Sequence, residues 1–171
     1  MNIEQRLTAE HSRALTMAIV KYIGADTTRF KELMFVFLKG EHRLTQRAAW
    51  PLSYACIAEP KLVRPYFSKL IDELNRPGNH PAIKRNILRI FQEIDIPEKY
   101  QGAVIDACFK IIADPLQPVA VMAFAISTAT RLCKPHPELK KELLLVLEQL
   151  AVYPQTPGVT VRIKRALKEL T

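Results

Sequence analysis

Apolar residues recur along nearly the whole chain at intervals of three and four, and no stretch alternates in the two-residue rhythm of a half-buried strand. Leu62, Val63, Tyr66, Phe67, Leu70, Ile71 and Leu74 trace one helical stripe, and Val104, Ile105, Cys108, Ile111 and Ile112 trace another. Ile83, Ile87, Ile90, Phe91 and Ile94 form a third, and Leu139, Leu143, Val146, Leu147 and Leu150 a fourth. Polar punctuation sets the boundaries. Gly24 followed by Asp26 reads as a glycine stop and then a carboxylate that accepts from the bare N–H groups of a first turn. Gly40 ends the second helix in the same way. Pro60, Pro81, Pro97, Pro115 and Pro137 open later helices, where a missing N–H does no harm. The pattern predicts nine helices, at about 3–23, 27–39, 41–58, 61–75, 81–94, 97–113, 117–134, 137–150 and 158–170.

The predicted helices fall into pairs. Asp26, Pro60, Pro97 and Pro137 mark the second member of each pair and lie 34, 37 and 40 residues apart. The turns Ala58-Glu59-Pro60, Asp95-Ile96-Pro97 and Pro135-His136-Pro137 resemble one another. A period near 40 with two antiparallel helices per unit indicates hairpins that must stack on their neighbours to bury their apolar faces. With Pro51 inside the third helix, where such units often carry a kinking proline, the chain resembles the HEAT repeat proteins of the armadillo-like superfamily. The resemblance implies an all-α, right-handed α-solenoid in one domain, 1–171, with hairpins at about 3–39, 41–75, 81–113 and 117–150 and a capping helix at 158–170. Gly102, inside the sixth helix, departs from the family pattern. Pro81 to Pro118 also resembles small bacterial HEAT-like proteins, some of which are described as adenylosuccinate lyases. That enzyme class is much longer and uses a Gly- and Ser-rich signature loop that has no counterpart here.

Composition narrows the functions. The 171 residues are 49% hydrophobic, enough for a core and too apolar for disorder, and the five glycines are scattered, which argues against a phosphate-cradling loop. Residues 1–6 lack the basic start and apolar stretch of a secretion signal, no apolar run is long enough to span a bilayer, and Cys56, Cys108 and Cys133 read as buried free thiols. These features predict a cytoplasmic protein without membrane attachment. The formal charge of +8 is evenly spread: residues 1–80 hold 12 Lys and Arg against 8 Asp and Glu, and residues 81–171 hold 13 against 9, so each half carries +4.

Catalytic chemistry has no foothold in the spacing. His11, His42, His80 and His136 are isolated, with no ligand pair at helical spacing, so neither metal nor cofactor is expected. Ser12, Ser53, Ser68 and Ser127 sit in helical patterns without a nucleophile turn. Three basic constellations stand out. In the third helix Arg43, Arg47, Trp50 and Tyr54 fall within about 60° of one another, a stripe suited to a phosphate backbone with a stacked base or to an acidic peptide. In the fifth, Arg85, Arg89 and Gln92 lie opposite the isoleucine stripe with Lys84 at the flank. In the last, Arg162, Lys164, Arg165 and Lys168 spread over the outer side of a terminal cap.

Together these features predict a non-enzymatic module that binds a protein partner on its solenoid surface. Nucleic-acid binding is the alternative, since the HEAT-like alkylpurine DNA glycosylases join a basic surface to aromatic residues. In that case Arg43, Arg47, Arg85 and Arg89 would clamp phosphates around Trp50.

Overall fold

A computed structural model describes residues 1–171. Its helices are α1 (Ile3–Ala9), α2 (Arg13–Ile23), α3 (Thr27–Lys39), α4 (His42–Ala58), α5 (Pro60–Val63), α6 (Phe67–Asn75), α7 (Pro81–Glu93), α8 (Glu98–Ile112), α9 (Val119–Cys133), α10 (Pro137–Val152) and α11 (Pro157–Leu170). A 3-10 turn, Arg64–Tyr66, joins α5 to α6 without a break, so the chain counts ten helical rods and no strand. The all-α architecture of sequentially packed helices is the one the periodicity predicts.

Three boundaries differ from the prediction, each for a local reason. The expected helix over 3–23 is two, because Ser12 adopts an extended conformation and its hydroxyl accepts from the Leu15 N–H at 3.0 Å, starting α2 afresh. Pro65 has no N–H for the Lys61 carbonyl, and the helix tightens there into the 3-10 turn. Pro115 opens no helix; it lies in a turn closed by Gln117 N–H on Asp114 O at 3.2 Å, and α9 starts after Pro118.

The predicted caps hold with one change of mechanism. Asp26 Oδ1 accepts from Thr28 N at 2.8 Å and Arg29 N at 3.1 Å, and Gly24 takes a positive φ of 48°. Gly40 ends α3 in an extended conformation, with φ at −65°. Its need for glycine is steric, since a Cβ there would lie 2.5 Å from the Val36 carbonyl oxygen.

The helices form two compact units, 1–95 and 96–171, so the two halves of the hairpin expected at 81–113 belong to different units. In the first, α4 is the hub and packs on α1, α2, α3, α5 and α7. Its buried side is mostly small, with Ala48, Ala49, Ser53, Ala55 and Cys56, which lets α7 approach with the larger Ile83, Ile87, Ile90 and Phe91. Phe67 stacks on Phe91 with ring centres 6.0 Å apart. Each fully buried Leu, Ile or Phe contributes roughly 1.5–3 kcal/mol, and α3 adds Phe30, Leu33, Met34 and Phe37 to the same core.

In the second unit α9 packs on α8, α10 and α11. Of the expected α10 stripe only Leu143 and Leu147 are fully buried, while Leu139, Val146 and Leu150 are half-buried. All three cysteines are buried and free. Burial pushes the Cys56 and Cys108 thiols far above their ordinary range and Cys133 up to about 11. No helix is long and apolar enough to cross a membrane.

Candidate functional site

Because one side of α4 is committed to α7 and α3, its polar residues are confined to the remaining edge. Arg43 is exposed there, and Arg47, Trp50 and Tyr54 are half-buried. Each of the last three is engaged by a different element. Arg47 turns toward α1, its Nη1 donating to Leu7 O at 2.7 Å and Thr8 O at 2.9 Å, two carbonyls that the end of a short helix leaves bare. The His11 imidazole meets the Trp50 indole edge-on, with ring centres 5.4 Å apart. Partial burial, and then the charge of Arg47, hold His11 below its ordinary pKa.

Tyr54 joins the first two predicted constellations. The Arg89 guanidinium, from α7, lies over the Tyr54 ring at 4.1 Å from its centre. As a hydrogen-bond donor toward the phenol, Arg89 holds the Tyr54 hydroxyl below the usual tyrosine pKa, against an opposing effect of burial. The charges of Arg89 and of Arg13 on α2 act in the same direction. Arg85 is exposed one turn before Arg89, and Lys84 is half-buried beside it. Gln92, in the same row, donates to Glu93 Oε1 at 2.8 Å while its own Oε1 is buried without a partner.

Beneath this face a buried polar contact fixes the register of α4 on α7. Ser53 Oγ donates within reach of both Trp50 O at 2.8 Å and Asn86 Oδ1 at 3.1 Å, and Asn86 Nδ2 donates to Ala82 O at 2.8 Å. The tyrosine one residue past Ser53 and the arginine three past Asn86 are the two that stack.

Arg13, Arg43, Arg47, Lys84, Arg85 and Arg89 have no carboxylate oxygen within 4.0 Å, as is true of cations elsewhere on the chain such as Lys21, Arg64 and Lys164. What sets this face apart is a guanidinium without such a carboxylate held over an aromatic ring between two helices, Arg89 on Tyr54. Periodicity did not find Arg13 and His11, because it placed both inside a single first helix. The signal that reveals them is Ser12, a good cap acceptor that starts a new helix with Arg13 as its first residue, near enough for its charge to act on Tyr54.

The third predicted constellation belongs to the second unit. In α11 Lys164, Arg165 and Lys168 are exposed and Arg162 is half-buried, while Val159, Ile163, Ala166 and Leu170 face inward and Leu167 is half-buried. No group of three or more His, Cys, Asp or Glu side chains is placed to hold a metal ion. The His42 and His80 rings do meet, 5.9 Å between centres, but His80 Nδ1 already caps α7 by accepting from Ala82 N at 3.1 Å.

Helices packed in sequential pairs and a proline inside α4 define an α-helical repeat protein. Residues 3–170 match the HEAT repeat domain, and the chain belongs to the HEAT repeat family. No match was found among curated proteins or solved structures.

Proposed function

We propose that this HEAT repeat chain is a non-enzymatic interaction module that binds an acidic segment of a partner protein on the α2, α4 and α7 face. HEAT repeats commonly serve as protein-interaction scaffolds, which supports a protein as the partner. The observation that carries the reading is the Arg89–Tyr54 stack among cations that have no carboxylate of their own. Stacking holds the guanidinium in place before a ligand arrives, so less side-chain entropy is lost when a carboxylate binds it. Trp50 argues for a protein over a nucleic acid, because the indole is half-buried and already packed against the His11 ring, which leaves less of it open to a stacking base. The cellular setting proposed is the cytoplasm, in keeping with three free buried thiols.

The test is fluorescence anisotropy of a labelled polyglutamate peptide, with duplex and single-stranded DNA titrated in parallel. The peptide should bind, and Arg85→Glu or Arg89→Glu should each weaken it about tenfold or more. Lys168→Glu, in the second unit, should leave binding within twofold. If DNA binds more tightly than the peptide, with log K falling by about 0.9 per contacted phosphate against log salt, the partner is a nucleic acid. If neither ligand binds at low salt, the face has no anionic partner.

A further inference from the structure

Helix α1 has only seven residues, of which Ile3 and Leu7 are buried at 3% and 2% exposure. A helix this short does not persist alone in water, so its structure depends on docking. Three interactions hold it: the two apolar anchors against α3 and α4, the Asn2 side chain accepting from Gln5 N at 3.0 Å, and the Arg47 grip on Leu7 O and Thr8 O. It fills its seam incompletely. Along one flank runs a groove of about 710 Å³ lined by Ile3, Lys31, Phe35 and Val36, with Phe35 left 65% exposed. Along the other, Thr8, Lys39, Arg43 and Arg47 line a groove of about 430 Å³. Glu10, which follows α1, is extended and leads directly to His11, the residue against Trp50.

Arg47 is therefore shared. It lies on the α4 edge that carries the cationic face, yet its Nη1 is spent on two carbonyls at the end of α1, which holds the guanidinium toward that helix. We propose that α1 is a displaceable latch: docked, it takes Arg47 as its C-terminal cap, and undocked, it releases Arg47 to the carboxylates of an acidic partner. This inference rests on the function proposed above and adds its regulation.

The chemistry favours exchange only when the partner is present. Both bonds have the ionised guanidinium as donor, but a carboxylate adds an opposite full charge and two oxygens that match the planar fork, so it is the better acceptor. Without a carboxylate to take Arg47, undocking only exposes Ile3 and Leu7 and gives up the Arg47 bonds to Leu7 O and Thr8 O. The two events are linked, so whatever loosens α1 tightens the partner, and the bound partner loosens α1 by the same factor.

The experiment uses the full chain, the same labelled polyglutamate peptide and hydrogen exchange at the amides of α1. Leu7→Ser removes one anchor from a helix that packs at the edge of its unit, and far-UV circular dichroism confirms that the rest of the chain keeps its helix content. Leu7→Ser should bind the peptide about fivefold more tightly or better. Adding Arg47→Gln, which keeps a donor but removes the charge, should abolish that gain. In the unsubstituted chain, saturating peptide should speed exchange in α1.

Peptide binding by the unsubstituted chain that Leu7→Ser leaves unchanged, with exchange in α1 also unchanged, overturns the latch while the interaction face stands. Weaker binding by Leu7→Ser overturns it as well, by making α1 part of the binding surface. No binding by any of the three proteins overturns the face, and the latch with it.

Discussion

Replacing Ser53 by alanine removes a single oxygen from the seam between α4 and α7, and the cost should exceed what that atom alone is worth. Ser53 is 0% exposed and Asn86 3%. The Ser53 hydroxyl has one proton and two acceptors in reach, Trp50 O at 2.8 Å and Asn86 Oδ1 at 3.1 Å. Ser53→Ala leaves Asn86 Oδ1 buried with no donor, a penalty of about 1–3 kcal/mol. Asn86→Leu is the complementary change. It removes the acceptor, keeps a similar volume and leaves Ser53 bonded to Trp50 O, so it should cost less than about 1 kcal/mol.

The double variant should then be more stable than Ser53→Ala alone, with a coupling of about 1–2 kcal/mol between the sites. Urea unfolding followed by circular dichroism gives the four free energies of the cycle. Should Ser53→Ala fall within about 0.3 kcal/mol of the unsubstituted chain and the two costs simply add, the hydroxyl is not serving the amide and the reasoning fails. The same cycle bears on function, because a shift of α7 along α4 would separate Arg89 from Tyr54.

Other expectations follow from single positions. Gly40→Ala puts a Cβ 2.5 Å from Val36 O and 3.3 Å from the Leu44 side chain, and should cost about 1–3 kcal/mol. Gly102→Ala, in α8, meets nothing within 4 Å and should stabilise by about 0.5–1 kcal/mol; in one urea series a stabilising Gly40→Ala or a destabilising Gly102→Ala refutes the corresponding expectation. His11, with its folded pKa held below the ordinary 6.5, takes up its proton less readily than the unfolded chain does. Its neutral form should therefore make stability fall as pH drops below 6.5 and level off below the folded pKa, and His11→Gln should flatten that segment of the urea-midpoint curve. Burial and raised pKa make Cys56, Cys108 and Cys133 poor nucleophiles, so a thiol reagent should label the chain only in denaturant; rapid labelling of the folded chain at neutral pH would contradict the packing.

The helical class and most boundaries were legible because each rests on local chemistry: apolar spacing, the Asp26 cap, prolines at first turns. The break at Ser12 escaped because apolar spacing continues across it, from Leu7 to Leu15, and only the cap geometry and a distant arginine, Arg47, interrupt the helix. Half of the site was legible in the same sense. Helical geometry puts Trp50 and Tyr54 on one edge of α4 and Arg85 and Arg89 on one row of α7. That Tyr54 meets Arg89, and that Arg47 is drawn away to α1, depends on which helices pack together and at what offset, which no single helix encodes. Gly40 shows the same limit: its role as a stop was readable, but the carbonyl that forbids a side chain there was not.

The chain has one tryptophan, and Trp50 sits in the first unit, on the proposed face and against His11, just beyond the end of α1. Indole emission therefore reports on that unit alone, while circular dichroism reports on the helices of both. Unfolding followed by the two signals on one sample asks whether residues 1–95 and 96–171 melt as a single cooperative body: coincident curves mean that they do, and separated curves give each unit its own stability.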